Sequence, residues 1–125
     1  DLLGQARLLL SYAGELEGRN RSEDDLAYFR QDHEFRNVLL VEQPNHDWAY
    51  TIIRQFFFDT YNYYQCQALL QSPDERLAAI AEKAFKEITY HLRYSSEWTI
   101  RLGDGTDTSH QKMQDAVDAL WAFTG

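Results

Sequence analysis

Apolar residues recur along this chain at intervals of three and four, the spacing that gathers side chains on one side of an α-helix. Leu2, Leu3, Ala6, Leu9, Leu10, Ala13 and Leu16 keep that phase. They predict an opening helix to about Glu17, linked onward by Gly18-Arg19-Asn20-Arg21. Ser22 heads the run Ser-Glu-Asp-Asp, an N-cap followed by acids that favour the positive end of a helix dipole. A second helical segment is expected through Leu26, Phe29 and Phe35 towards Leu39-Leu40-Val41. Gln43-Pro44-Asn45 stops it, because Pro44 biases Gln43 away from helical angles.

The middle of the chain is more regular. From about Asp47 to Gln71 the residues Ile52, Phe56, Asp59, Tyr63, Cys66 and Leu70 step by four and three, the seam of a helix packed in a bundle. From about Asp74 to Arg101 the same arithmetic runs through Leu77, Ile80, Ala84, Glu87, His91, Tyr94 and Trp98. A second row, Ala81, Phe85, Ile88 and Leu92, widens that face and argues for burial on two sides. The short Ser72-Pro73 link makes these two helices antiparallel neighbours. Gly103-Asp104-Gly105 is a stop, and Thr108 with Gln111 is expected to form the capping box of a last helix carrying Val117, Leu120, Trp121 and Thr124.

Composition supports this all-α reading. Leucine and alanine dominate, while only six Gly and two Pro punctuate 125 residues, too few for the turns of an all-β domain. With 44% hydrophobic residues the chain can bury a core, and its length fits one domain. Its 20 acidic against 12 basic side chains give a net charge of −8. No cluster of Lys and Arg offers a surface for nucleic acid or an anionic membrane. No apolar run approaches the roughly 18 residues of a membrane span, so a cytoplasmic protein is the default expectation. The single cysteine, Cys66, cannot form an internal disulfide and reads as a small apolar helix residue.

Three polar residues stand where the period calls for apolar ones: Asp59, Glu87 and His91. A buried charge costs several kcal/mol unless paired, so each needs a partner. A charge and hydrogen-bond network without metal, a metal site, and seam positions open to solvent all satisfy that need. Di-iron carboxylate bundles use Glu-x-x-His pairs. Here Tyr90 stands three residues after Glu87 and His91 four after, while Asn45 and His46 stand three and four after Glu42. Spacing of i+4 still keeps both side chains on one helix face. His33 and His110 fall at helix ends, where surface or capping roles suffice. Gly103 to Asp107 lacks both the lysine of a phosphate loop and the glycine of an EF-hand. No nucleophile elbow or dinucleotide fingerprint appears.

Several blocks carry a resemblance that spacing alone does not give. Asp1-Leu2-Leu3-Gly4-Gln5-Ala6-Arg7, Leu40-Val41-Glu42-Gln43-Pro44-Asn45, Lys86-Glu87 and Tyr90-His91-Leu92-Arg93 are similar to the PaaC family, the structural C subunit of bacterial phenylacetyl-CoA epoxidase. Arg101-Leu102-Gly103, Gly105-Thr106-Asp107, Gln111-Lys112-Met113-Gln114 and Leu120-Trp121 with Phe123 extend the likeness. The resemblance implies a single ferritin-like helical domain over residues 1–125, truncated at both ends, with a further helix before Asp1 and more chain after Gly125.

It also implies a function. In such an epoxidase the A subunit bears a di-iron centre and epoxidises the ring of phenylacetyl-CoA with O₂, using electrons from a separate reductase. The C subunit pairs with it and does no chemistry, so this chain is expected to hold no cofactor and no catalytic residue. Asp59, Glu87 and His91 are then remnants of an iron site, expected to pair with nearby Lys or Arg. His46 departs from the family pattern. The rival is an active di-iron oxygenase or ferritin-like oxidase using Glu42, Asp59, Glu87 and His91, with further ligands supplied by chain beyond the two ends. A third reading is a helical interaction protein unrelated to oxygenases.

Overall fold

Four of the five α-helices in this chain begin where a side chain takes over amides that a first turn leaves without acceptors. The computed structural model describes all 125 residues. Its helices are α1 (Leu2–Glu17), α2 (Glu23–Tyr28), α3 (Trp48–Leu69), α4 (Glu75–Gly103) and α5 (Asp107–Leu120), and there is no strand. Ser22 and Asp25 form a reciprocal capping box at α2, with the Ser22 amide donating to Asp25 Oδ2 at 2.7 Å. Asp47 Oδ1 accepts from the Tyr50 amide at 3.0 Å, and Asp74 Oδ1 accepts from the Arg76 and Leu77 amides.

At α5 the capping box is formed by Thr106 and Ser109, not by Thr108 and Gln111 as the sequence suggested. The α4–α5 corner explains the shift. Ser109 Oγ also donates to the Leu102 carbonyl at 2.7 Å, so one hydroxyl ties the start of α5 to the end of α4. A Cβ added to Gly105 would lie 2.7 Å from that same oxygen.

The second helical segment is much shorter than its apolar residues predicted. It ends at Tyr28, and two 3-10 turns follow, at Asp32–Glu34 and Leu39–Glu42. Arg30 Nε donates to the Leu26 carbonyl at 2.5 Å and Glu34 accepts from the Gln31 amide at 2.7 Å, so local side chains satisfy the backbone that a longer helix would have used. Phe29 and Phe35 are exposed, whereas Leu26 and Leu40 are buried. Gln43 is extended, as the residue before Pro44 should be.

α3 and α4 pack antiparallel along most of their length, and α5 packs against both. One core joins Leu40, Ala49, Ile52 and Ile53 to Met113, Ala116 and Leu120. A second joins Cys66 to Ala81, Ala84 and Ile88. On α4 the buried residues are Ile80, Ala81, Ala84, Ile88 and Ser95, drawn from both apolar rows of the sequence rather than from the first alone. Trp48 meets Trp98 edge-on at 5.9 Å where α3 begins.

α1 is attached differently. Gln5 reaches Glu87 on α4, and the Tyr12 hydroxyl donates to Asp74 Oδ2 at 2.5 Å. Arg76 donates to Glu15 through both terminal nitrogens, 2.8 Å in the longer contact. This order of partners makes α1 antiparallel to α4. Arg7 and Ser11 bind Glu23 of α2, and the Arg21 carbonyl crosses so close to Gly14 that a Cβ there would lie 2.4 Å from it. Gly18 closes α1 at φ 67°, a left-handed cap suited to glycine.

Candidate functional site

Asp59 is the only one of the three seam residues that is truly interior, at 2% exposure. Its turn of α3 faces α4, where Ser95 has no exposed surface at all. Ser95 Oγ donates to Asp59 Oδ2 at 2.8 Å, and Gln55 Nε2 donates to Oδ1 at 2.6 Å. Both carboxylate oxygens are therefore satisfied by neutral donors. No buried side-chain polar atom is left without a partner. The expected Lys or Arg partner is absent from this pair.

Glu87 and His91 lie on the flank of α4 that meets α1. Glu87 Oε2 accepts from Gln5 Nε2 at 2.9 Å, and His91 Nε2 stands 3.8 Å from the Asp1 carboxylate. Here too the partners are an amide and an acid, not Lys or Arg. Glu42 is exposed at the end of a 3-10 turn, and His46 is exposed with its ring edge-on to Tyr50 at 4.6 Å. No three His, Cys, Asp or Glu side chains converge as the ligands of a metal would. The residues present do not assemble an iron site: Asp59 is turned to Ser95 and Gln55, and Glu87 to Gln5. His33 and His110 are exposed, with His110 Nδ1 at 2.8 Å from the Gly103 carbonyl.

Beside Asp59 opens a cleft of about 590 Å³. It is lined by Thr51, Gln55, Phe58 and Asn62 of α3, by Tyr90, His91 and Tyr94 of α4, and by Leu2 of α1. The residues that complete this site were missed in the sequence. Ser95 had a signal, since it continues the second row, Ala81, Phe85, Ile88 and Leu92, at helical spacing. Gln5 and Gln55 had none, because a glutamine on a helix is as compatible with solvent as with a buried partner.

The remaining chemistry is structural. Burial pushes the Cys66 thiol up, and its Sγ sits 3.3 Å from the Ala81 carbonyl, so it behaves as the small apolar residue expected. The Tyr12 hydroxyl holds Asp74 below the usual carboxylate range, with help from the Leu77 amide. The Arg76 guanidinium does the same for Glu15, and Ser11 with Arg7 for Glu23. No helix is long and apolar enough to cross a membrane.

The whole chain, residues 1–125, matches the family model described as phenylacetic acid catabolic protein. It is 55% identical over 124 residues to the C subunit of the 1,2-phenylacetyl-CoA epoxidase of Escherichia coli (strain K12). That match covers 99% of this chain and 50% of the relative, so the chain spans about half the relative's length. The helical bundle is the architecture that the ferritin-like resemblance implied, and the residue blocks that suggested it lie within the match. The chain belongs to the phenylacetic acid catabolic protein family.

Proposed function

We propose that this chain is part of the structural C subunit of a phenylacetyl-CoA epoxidase, acting in the cytoplasm in aerobic phenylacetate degradation. The observation that carries this reading is the 55% identity to the C subunit of such an epoxidase along 99% of the chain. The bonding of Asp59 supports the non-catalytic half of the proposal. Its two oxygens accept from Ser95 and Gln55, leaving a closed polar pair that fixes how α3 sits on α4. The protein then contributes a rigid scaffold to an iron-bearing A subunit, which performs the oxygen chemistry. Asp59, Glu87 and His91 are, on this reading, remnants of an iron site whose positions persist as helix-to-helix contacts.

Co-expression tests the proposal. The A subunit should lose solubility or epoxidase activity when this polypeptide is omitted and regain it when the polypeptide is restored. Metal analysis of the separately purified full-length subunit should find no stoichiometric iron. Stoichiometric iron with a visible absorption band would instead establish the di-iron oxidase reading.

A further inference from the structure

Aromatic side chains touch in three longer runs, and only one is built throughout from rings that give up an electron readily. Trp121 meets Phe57, which meets Phe56, and Tyr64 meets Tyr63, which meets Phe85. Both of those runs stop on phenylalanine, a ring too hard to oxidise to pass an electron on. In the third, Trp48 meets Trp98 at 5.9 Å, Trp98 meets Tyr94 at 6.4 Å, and Tyr94 stacks on Tyr90 at 6.5 Å. These are the centroid separations of rings in contact.

The helix sets the file. Tyr90, Tyr94 and Trp98 are four residues apart on one face of α4, and Trp48 joins them across the start of α3. Without the ring at position 94, Tyr90 and Trp98 would be separated by eight residues, about 12 Å along the axis. Electron transfer falls off exponentially with the gap between ring edges, so three short steps outrun one long one. Charge gives the file a direction. The Arg101 guanidinium lies 5.6 Å from the Trp98 ring, and a cation there opposes a positive hole on the indole. Arg93 lies 5.9 Å from the Tyr90 ring, but an oxidised phenol sheds its proton and becomes a neutral radical that a cation does not oppose. For the same reason tyrosine is the easier of the two to oxidise at neutral pH. A hole placed on the tryptophan pair therefore runs towards Tyr94 and Tyr90.

We propose that Trp48, Trp98, Tyr94 and Tyr90 form an oxidation relay that moves a one-electron hole along α4 and away from the protein core. The oxidant is an oxygen-derived radical of the peroxyl class, and the final reductant is a small thiol. The peroxyl radical takes one electron from Trp48, 48% exposed, and a proton from water, and leaves as a hydroperoxide. Trp98 refills Trp48 and is refilled by Tyr94, whose phenolic proton goes to water. Tyr94 recovers an electron from Tyr90 and a proton from water, while Tyr90 releases its own proton. At Tyr90, 56% exposed, the thiol S–H breaks and the phenol O–H reforms, and two thiyl radicals pair as a disulfide. This function goes beyond the structural role proposed above and does not depend on it.

Pulse radiolysis of the full-length polypeptide alone tests the relay, with the azide radical as the one-electron oxidant because it prefers indole at neutral pH. The indolyl absorption should decay as the phenoxyl absorption grows, at one first-order rate that does not change with protein concentration. Tyr94→Phe removes a hydroxyl and keeps the ring, and it should slow that transfer by at least an order of magnitude. Trp121→Phe, outside the file, should leave the rate unchanged. Spin trapping followed by peptide mapping of the unsubstituted protein should place the adduct on Tyr90 or Tyr94. The proposal is overturned if the transfer rate rises in proportion to protein concentration, or if Tyr94→Phe transfers as fast as the unsubstituted protein. It is equally overturned if the trapped radical is recovered on tryptophan alone.

Discussion

The two long contacts made by α4 are built on opposite principles. Towards α3 it presents Ala81, Ala84, Ile88 and Ser95, all buried, against Ile52, Asp59 and Cys66. Towards α1 it presents the polar ends of Asp74, Arg76 and Glu87, all reaching out to meet polar ends in return. The first contact removes apolar area from water, at roughly 25 cal/mol per Å². The second replaces water with ion pairs and hydrogen bonds, whose net contribution at a surface is small. Near α1, even Leu8 borders a gap of about 100 Å³ lined in part by Ile80, Ala84 and Glu87. One helix can thus be a core element on one side and a docking rail on the other.

That contrast can be broken most forcefully from the buried side. Ile53, 1% exposed, packs where α3 meets α5, and Ile53→Ala should cost about 2–5 kcal/mol in urea unfolding of the full-length protein. Next comes the polar pair inside the α3–α4 contact. Ser95→Ala removes the donor to a buried carboxylate oxygen and should cost about 1–3 kcal/mol. Asp59→Asn keeps an acceptor towards Ser95 and lets Gln55 turn its amide, so it should cost distinctly less in the same assay. Equal losses for the two would show that charge, not hydrogen bonding, holds the pair.

Acid sharpens the contrast from the α1 side. Glu15, Glu23 and Asp74 all have their carboxyls held below the ordinary range by hydrogen bonds from Arg76, Ser11 and Tyr12. A folded-state value lower than the unfolded one means that these contacts stabilise fully above the unfolded pKa of about 4. Their contribution is then lost as pH falls through the lower folded values. Circular dichroism between about pH 6 and about pH 3 should show a partial loss of helix before the main acid transition, with the α3–α4 tryptophan signal unchanged. A single concerted transition would show that α1 is held as firmly as α3. Tyr12→Phe should have the smallest effect, faster exchange of the α1 amides with little change in overall melting temperature.

The long helices were legible because their period is an outcome of burial. α3, α4 and α5 bury one face each, and that face repeats as it must. The stretch from Phe29 to Val41 misled because only Leu40 among its apolar residues is enclosed: Phe29, Phe35, Val38, Leu39 and Val41 are exposed, so their spacing carried no packing information. The site was half legible. A carboxylate at position 59 in an apolar phase signalled a buried partner, but the partner's identity lay 36 residues away on another helix. Glu87 and His91 fall on the same period without being interior, because α4 is wider in its apolar face than α3 is able to cover. The capping residues of α5 were displaced by two positions, since Ser109 is recruited by a contact to Leu102 that no local rule contains.

The edge-on contact of Trp48 with Trp98 lies where α3 begins, and Trp48 and Tyr94 both border the cleft. Trp121, the third indole, is remote from it, against Phe57 at the α5 end. One indole lining the cleft, coupled to a second behind it, and a third outside it make an optical gauge that requires no label. Water at the mouth shifts indole emission to the red, and a dry neighbour shifts it to the blue, while Trp121 serves as an internal standard. The colour of this protein's own fluorescence therefore reports whether the cleft beside Asp59 is wet or filled.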